Sequence, residues 1–316
     1  MARILLTGAS SFSGLWIAEA LAAAGHEVTA PLKRQEADYS GLRAERVVRL
    51  KRSADAVFDA PFGSARFLDL AARGVDLLAH HAADIPNYRS ADYDVMAGVA
   101  RNTEGLEAVF RACARAGARA AVVTGTTFEA GEGGGGAGDL AVSPYGLSKT
   151  LTNEAARHFA PWSGLGFGKF VVAAPFGVLE EGRFAWSLFQ AWFDGRPGQV
   201  RTPRYVRDNI PAPLLAAAYA GLTARLLDGA GTAFGRPAGF IGTQAAFAER
   251  LAAEMRPRLG LPCEVESLPQ PELAEPERRV NSDPAIPPDW DAAAFWDDYA
   301  AYYRRLAETG RLAAPA

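Results

Sequence analysis

Short apolar runs alternate with stretches of helical spacing through the first half of the chain. The apolar runs have the length of buried parallel strands and cover residues 3–7, 26–30, 75–80 and 119–124, with a further strand at 47–50. Between them, apolar positions recur at helical spacing over residues 13–24, 67–73 and 94–116. This alternation predicts a parallel sheet that helices cover on both faces.

The second half is less regular and predicts a smaller lobe. It contains a strand over residues 170–174 and helices over 186–193, 214–227 and 291–308, whereas the prolines of 269–288 predict an extended surface segment. Aromatic residues recur along one face of the last helix, and packing is favoured over a ligand site for that stripe. The predicted fold class is therefore α/β, with a doubly wound parallel sheet and an irregular C-terminal lobe.

Composition excludes several classes of protein. The chain has 316 residues, 49% of them hydrophobic, which suffices for a full core and argues against disorder. Its net charge of −3 gives no electrostatic footprint for nucleic acid. Two cysteines and four histidines without metal-ligand spacing predict neither a disulfide framework nor a metal site. No apolar run reaches about 18 residues and no signal peptide is evident, so we expect a cytoplasmic protein without a membrane partner.

The first strand runs directly into a turn of small residues, Thr7-Gly8-Ala9-Ser10-Ser11-Phe12-Ser13-Gly14. A dinucleotide diphosphate needs such a turn, because small residues let the backbone approach the phosphates and the amides of the next helix meet their charge. Ser11 stands where a third glycine is usual, although its amide and hydroxyl can still donate. The residues expected to bind the cofactor here are Gly8, Ser10, Ser11, Phe12, Ser13 and Gly14.

Two cations, Lys33 and Arg34, follow the second strand, where NAD-preferring proteins carry an acid for the ribose 2′-hydroxyl. Cations suit a 2′-phosphate, so the sequence favours NADP over NAD. Solvated loop charges are the alternative interpretation. The third strand, taken near residues 49–53, also lacks an aspartate of the kind that often meets adenine.

Tyr145 and Lys149 form a second candidate motif. Ser143 is placed to cap a helix and Pro144 to begin it, so the four-residue spacing puts Tyr145 and Lys149 on one helix face. A phenol with an ordinary pKa of ~10 must lose roughly 3 units to act as a base near neutrality. A neighbouring ammonium and a helix N-terminus both favour the phenolate.

With these motifs the chain resembles the extended short-chain dehydrogenases/reductases, the group of nucleotide-sugar epimerases, dehydratases and ketoreductases. The resemblance covers most of the chain and includes Ala82-Ala83 after the fourth strand, Thr124–Gly131, the turn Pro175-Phe176-Gly177, and Arg207-Asp208-Asn209-Ile210. It implies a Rossmann-type dinucleotide-binding domain over residues 1–168, joined by strand 169–177, and a mainly substrate-binding lobe over 178–316, interwoven with the first.

The resemblance also implies a role for each matching residue. Tyr145 exchanges the hydroxyl proton, Lys149 holds the nicotinamide ribose, and Thr126 orients the substrate oxygen, with Thr127 as the nearby alternative. Ala82, Ala83, Pro175 and Phe176 would line the cofactor together with Tyr145 and Lys149. Arg207 would bind the substrate diphosphate, or else form a structural ion pair. Helices near 94–116 and 145–160 resemble those that pair in a homodimer.

Several departures from the family pattern leave the substrate open. Thr126 is followed by Thr127-Phe128 rather than the Asp-Glu of 4,6-dehydratases, which argues against dehydration. Glu129 is either a local acid/base or, more simply, a surface glutamate, and Lys169 is interpreted as a solvated charge. Arg236 stands where an asparagine is common. The favoured function is a nucleotide-sugar 4-ketoreductase or epimerase; the alternatives are an NADP-dependent reductase of a non-nucleotide carbonyl compound and a non-catalytic dinucleotide sensor.

Overall fold

The first half of the chain alternates strands with helices. The computed structural model describes residues 1–83, 90–134, 140–272 and 275–312. Its first elements are β1 (Arg3–Thr7), α1 (Phe12–Ala23), β2 (Glu27–Pro31), α2 (Gly41–Leu50), β3 (Asp55–Val57), α3 (Ala65–Ala72), β4 (Leu77–His80), α4 (Val95–Thr103), α5 (Leu106–Arg115), β5 (Ala120–Thr126) and α6 (Pro144–Trp162).

The second half adds more strands, most of them short. They and their helices are β6 (Gly166–Val172), β7 (Ala174–Phe176), α7 (Phe184–Phe193), β8 (Gly198–Val200), β9 (Val206–Pro211), α8 (Ala212–Leu227), β10 (Thr232–Gly235), β11 (Pro237–Ala238), β12 (Phe240–Thr243), α9 (Gln244–Leu259), β13 (Val265–Ser267), β14 (Arg278–Arg279), β15 (Asp283–Pro284) and α10 (Ala292–Glu308).

Seven parallel strands form the central sheet, in the order β10-β6-β5-β4-β1-β2-β3. Every residue of β4 and β5 is buried, as expected for strands that are covered on both faces. One apolar core includes residues of α1, α7 and α8, and another includes residues of α3 and α5. The predicted doubly wound Rossmann-type architecture is therefore confirmed.

Three predicted elements differ from the structure. The strand over 169–177 is two strands, β6 in the central sheet and β7, which pairs with β9. Residues 47–50 are not a strand but the last turn of α2, and the third strand is β3. A four-residue apolar run is too short to distinguish the two, and Arg46, Val47 and Leu50 are the buried face of a helix. The long helix over 94–116 is divided into α4 and α5 at Gly105, whose φ of +69° ends the first helix.

The second half is interwoven with the central sheet. Strand β10 returns to that sheet beside β6, while β9 pairs with β7, β12 and β14 in a smaller sheet. The proline-rich segment contributes β14 and β15 and buries Val280 and Asn281, so it is not wholly a surface segment. The division near residue 168 stays a prediction. Among the described residues, none of the helices combines the length and apolarity needed to cross a membrane.

Helix α10 docks through its aromatic face. Phe295, Tyr299 and Tyr302 are buried, and the ring of Tyr303 stacks on that of Phe189 with centroids 3.6 Å apart. The Phe176 ring packs on Trp296 and Tyr299 from the other side. The packing interpretation of this aromatic stripe is confirmed.

A buried carboxyl group lies beneath α10. The hydroxyls of Tyr299 and Tyr303 both donate to Oε1 of Glu180, the latter at 2.6 Å. Burial raises the pKa of Glu180 from its ordinary value of 4.5 to about 7, although the tyrosine hydrogen bonds oppose the shift. Because the pKa of Glu180 is higher in the folded protein than in the unfolded chain, this group stabilises the fold when it is protonated. The contribution is complete below pH 4.5 and is lost as the pH rises through 7.

Replacing Glu180 by glutamine is expected to flatten the pH dependence of stability between pH 5 and 8. Glutamine keeps the Oε1 acceptor but cannot ionise, so the variant gains in free energy of unfolding relative to the wild type as the pH rises, by at most roughly 3 kcal/mol. Urea titration at several pH values measures this. Glu154→Gln, at an exposed ion pair with Arg157, is the control and should keep the wild-type dependence. Parallel curves for Glu180→Gln and wild type would contradict the assignment.

Candidate active site

The turn between β1 and α1 is built for close backbone approach. Gly8 has a φ of +74°, and a β-carbon there would lie 2.8 Å from the amide nitrogen of Ala82. A β-carbon on Gly14 would lie 2.2 Å from the carbonyl oxygen of Gly8. Both positions therefore require glycine. The side chain of Ser11 caps α1, because its Oγ accepts the N–H of Gly14 at 3.1 Å.

This turn fits a dinucleotide diphosphate. The first turn of α1 contains no acidic residue that would offset the positive dipole end of the helix. Ser10 and Ser13 are partly exposed, whereas Phe12 is buried. A β-carbon on Gly177, after β7, would lie 3.8 Å from the Phe12 ring, so the Pro175-Phe176-Gly177 turn lies next to the phosphate-binding turn. The Phe176 ring itself belongs to the aromatic core rather than to this surface.

The end of β4 is tied to both neighbouring strands. The N–H of Ala82 donates to Thr7 Oγ1 at 2.9 Å, and Ala82 and Ala83 are partly exposed beside Gly8. The ring of His81 bridges Ser13 Oγ at 2.9 Å and Thr124 Oγ1 at 3.0 Å. Sequence reasoning missed this histidine, whose one signal is its position directly before Ala82-Ala83.

Lys33 and Arg34 are exposed after β2, where the adenosine end of a dinucleotide would lie. Because the third strand was predicted too early in the chain, an acidic residue at this edge of the sheet, Asp59, was overlooked. Asp59 follows β3 with a φ of +53°, and its N–H donates to the carbonyl of Arg34 at 3.0 Å. An exposed carboxylate therefore lies next to the two cations.

The start of α6 has the predicted form. Ser143 Oγ accepts the N–H of Gly146 at 3.1 Å, and Pro144 begins the helix. The Tyr145 ring lies between those of Tyr93 and Phe128, at centroid distances of 6.0 and 6.1 Å. Gly146 is needed at this contact, since a β-carbon there would lie 2.1 Å from the carbonyl oxygen of Phe128.

Lys149 follows one helical turn later and is buried. Burial lowers the pKa of Lys149, and the positive charge of Lys169 adds to that shift, whereas the carboxylate of Glu129 opposes it. The ammonium is therefore held in a site with little water, where its field acts strongly on neighbouring groups.

Thr126 and Thr127 are buried where β5 ends. The hydroxyl oxygen of Thr126 lies 3.4 Å from the N–H of Phe128, and the N–H of Thr127 donates to the carbonyl of Val172 at 3.2 Å. Glu129 is not a surface glutamate: its carboxylate is buried, and Lys169, expected to be solvated, lies 2.7 Å from it. Both predictions were wrong, because no local pattern in the sequence marks two distant charges as partners.

Arg207 is buried in β9, the strand of the smaller sheet that has β12 and β14 on its two sides. Its Nη1 donates to the carbonyls of Val206 and Glu277 at 2.9 Å each, and its Nη2 lies 3.4 Å from Glu275 Oε1. The guanidinium also stacks over the Tyr205 ring at 4.1 Å. Arg207 therefore forms a structural ion pair, which was the alternative interpretation of this residue. Binding of a substrate diphosphate by Arg207 stays a prediction.

Residues 4–185 match the model of the NAD dependent epimerase/dehydratase family. The chain belongs to that family. Membership in the NAD dependent epimerase/dehydratase family makes this an NAD-dependent enzyme of the short-chain dehydrogenase/reductase type, which removes the non-catalytic sensor from consideration. The comparison with curated proteins by sequence found no match.

Solved structures share the fold of this epimerase/dehydratase family member. UDP-glucose-4-epimerase from Stenotrophomonas maltophila, with bound NAD and formylated UDP-arabinopyranose, is 17% identical with a TM-score of 0.72 over 98% of this chain and 100% of that one. UDP-N-acetylglucosamine 4-epimerase from Methanobrevibacter ruminantium, in complex with UDP-N-acetylmuramic acid, is 14% identical with a TM-score of 0.73 over 96% and 98%. dTDP-glucose 4,6-dehydratase from Streptomyces venezuelae, with NAD bound, is 18% identical with a TM-score of 0.71 over 96% and 97%.

Replacing Gly14 by alanine is expected to weaken binding of NAD at least about tenfold, because the new β-carbon collides with the Gly8 carbonyl and displaces the turn. Calorimetric titration measures the dissociation constant. Gly221→Ala is the matched control: Gly221 is an exposed glycine of α8 with open space around it. Alanine there should leave binding unchanged and raise stability by about 0.5–1 kcal/mol. Equal affinities for Gly14→Ala and Gly221→Ala would refute the assignment of this turn.

Proposed function

We propose that the protein transfers a hydride between NAD or NADP and a carbon of a nucleotide-linked sugar, as a 4-ketoreductase or an epimerase. The observation that carries the proposal is the placement of Tyr145 and Lys149 in the first turns of α6, packed against the segment that follows Thr126. That segment leaves the central sheet at the same edge as the glycine-rich turn after β1. These contacts support a site in which a phenol, an ammonium and a hydroxyl lie at the same edge of the sheet as the proposed dinucleotide-binding turn.

Tyr145 is the proposed acid/base. Its phenolate is favoured by the positive end of α6 and by the Lys149 ammonium one turn along the helix. The tyrosine takes the proton of a secondary alcohol during oxidation and returns it to the carbonyl oxygen during reduction. The dinucleotide, when bound, supplies the hydride chemistry at its nicotinamide ring.

Lys149 and Thr126 position the reacting groups. The buried ammonium of Lys149 donates hydrogen bonds to the nicotinamide ribose, and the hydroxyl of Thr126, or that of Thr127, donates to the substrate oxygen. Dehydration finds less support: Glu129, the nearest acid after Thr126 in the chain, is engaged by the N–H of Thr126, by Asn153 and by Lys169.

Either dinucleotide suits the proposed site. NAD is bound in the Stenotrophomonas and Streptomyces relatives. Lys33 and Arg34 suit the additional 2′-phosphate of NADP. Asp59 at the same edge would repel that phosphate and works against NADP.

A reductase of a non-nucleotide carbonyl compound is a second candidate, favoured by one observation. The guanidinium of Arg207 is already engaged by backbone carbonyls and by Glu275. A nucleotide diphosphate bound at Arg207 would have to replace the contact with Glu275. If Arg207 keeps these contacts, it does not bind a substrate diphosphate.

We also propose a homodimer. Large apolar side chains are exposed on the helices expected to pair, among them Met96 on α4, and Leu147 and Leu151 on α6. An apolar stripe of this kind on adjacent helices is typical of a protein–protein interface. Helix α4 packs directly on α6, so one partner surface could cover both.

Turnover should require Tyr145. With a panel of UDP- and dTDP-linked hexoses and their 4-keto forms, presented with NAD(H) or NADP(H), the wild type should turn over at least one pair, and Tyr145→Phe should lower kcat at least about a thousandfold. Phenylalanine keeps the ring contacts with Tyr93 and Phe128 but cannot exchange a proton. Absorbance at 340 nm reports net reduction, and NMR of the sugar reports epimerisation. Full activity of Tyr145→Phe would exclude Tyr145 as the acid/base.

The same assay separates the two substrate classes. If a nucleotide sugar is the substrate, Arg207→Gln should raise its KM about tenfold or more and lower kcat much less. For a non-nucleotide substrate, KM should change little, and UDP should not inhibit. Thermal unfolding of Arg207→Gln must be measured alongside, because the substitution also removes internal hydrogen bonds.

Replacing Leu147 and Leu151 together by glutamate should convert the homodimer to a monomer, because two charges would be buried against the partner. Light scattering after size-exclusion chromatography measures the mass. The control is Leu140→Glu, at an exposed leucine before α6. A monomeric wild type would contradict the proposal.

A further inference from the structure

A buried cluster of charges lies directly behind Thr126. At its centre, Glu129 Oε1 accepts the backbone N–H of Thr126 at 2.7 Å. Asn153 Nδ2 donates to both carboxylate oxygens at 3.0 Å, and Lys169 Nζ lies 2.7 Å from Oε2. Because Asn153 is on α6 and Lys169 is on β6, one carboxylate joins the three elements that meet behind the site.

Glu132 holds the outer side of the same cluster. Its Oε1 lies 3.0 Å from Lys169 Nζ, and its Oε2 lies 2.6 Å from Nε of Arg236. Lys169 therefore lies between two carboxylates, of which Glu129 binds the backbone of Thr126 and Glu132 binds the partly exposed Arg236. Glu132 thus offers a natural comparison for Glu129, since both bind the same ammonium.

The chain leaves room for this cluster at Gly125. A β-carbon on that residue would lie 2.6 Å from Glu129 Oε1 and 2.9 Å from Lys169 Cε. Any larger residue in this buried strand would push the carboxylate and the ammonium away from Thr126. Among the described residues, only Glu129 and Lys169 have atoms within 3 Å of that β-carbon position.

Lys149 lies within the field of the cluster. Burial lowers the pKa of Lys149, Lys169 lowers it further, and Glu129 opposes both effects. Two histidines also face Lys149 from the end of β4, but burial lowers the pKa of His80 to about 3 and that of His81 to about 4. Both rings are therefore neutral near pH 7, and the charge that favours the protonated form of Lys149 is that of Glu129.

We propose that Glu129 is a positioning residue for hydride transfer, which fixes the backbone at Thr126 and supplies the negative charge that Lys149 faces. The inference rests on the proposed roles of Thr126 and Lys149. Through Thr126, Glu129 sets where the substrate oxygen is bound. Through its negative charge, it favours the protonated form of Lys149, and that ammonium in turn favours the Tyr145 phenolate.

The test is a direct titration of Lys149. The chain has four lysines, so NMR of protein labelled with 13C at the lysine ε-carbon resolves each side chain without cofactor or substrate. Glu129→Gln keeps the Oε1 acceptor for Thr126 but removes the charge and, with it, the Oε2 acceptor that faces Asn153 and Lys169. The Lys149 midpoint should fall by about one pH unit in Glu129→Gln and by less than about 0.3 unit in Glu132→Gln.

A second variant tests the opposite sign and covers failure of the first to fold. Lys169→Met removes the cation that opposes protonation of Lys149, so the Lys149 midpoint should rise. Unchanged midpoints in the folded variants would overturn the proposal. Signals are assigned by the loss of one resonance in Lys33→Arg, Lys51→Arg and Lys169→Met.

Kinetics with a substrate found in the panel supply an independent readout. In Glu129→Gln, the alkaline limb of the pH profile of kcat should move down together with the Lys149 midpoint, whereas a merely structural defect lowers kcat without moving the limb. A stationary limb would refute the positioning role. A shifted midpoint in a protein that turns over nothing in the panel would instead refute the proposed function and support the charge assignment.

Discussion

The parallel direction of β1, β4 and β5 is the constraint on which the site depends. In register, Thr7 lies beside His80, and His80 beside Val123, so the chain leaves all three strands at one edge of the sheet. The glycine-rich turn after β1, the Ala82-Ala83 segment and Thr126 are distant in sequence, yet they meet there. Side-chain hydrogen bonds then connect the segments at this edge. Thr7 Oγ1 accepts the N–H of Ala82, and the His81 ring is hydrogen-bonded to both Ser13 and Thr124.

Glycines at this edge act through the space they leave. Gly8 approaches Ala82, Gly14 approaches the Gly8 carbonyl, and Gly146 lets α6 lie against the Phe128 carbonyl. The last contact bears on chemistry, because Gly146 lies between Tyr145 and Lys149. A side chain there would lift the start of α6 from the segment that contains Thr126. The motif Tyr-Gly-x-x-Lys therefore combines the two proposed catalytic residues with the glycine that lets α6 approach this segment.

Buried charge is the second feature that organises the site. Isolated buried charges are strongly destabilising, and here two carboxylates, Glu129 and Glu132, enclose the Lys169 ammonium. Lys149 is a second lysine here and is buried, and both Glu129 and Lys169 shift its pKa. A cluster of this kind holds its members in one arrangement, since moving one leaves the others without compensation.

Much of the fold and part of the site could be predicted from the sequence, because their causes are local. Buried strands, the capped start of α6 and the glycine-rich turn each follow from neighbouring residues, through periodicity, capping and backbone sterics. The position of β3, the break at Gly105, the pairing of Glu129 with Lys169 and the partners of Arg207 follow from contacts between distant segments. Only the tertiary structure decided these, because burial and charge pairing depend on which segments meet, and a single sequence does not show that.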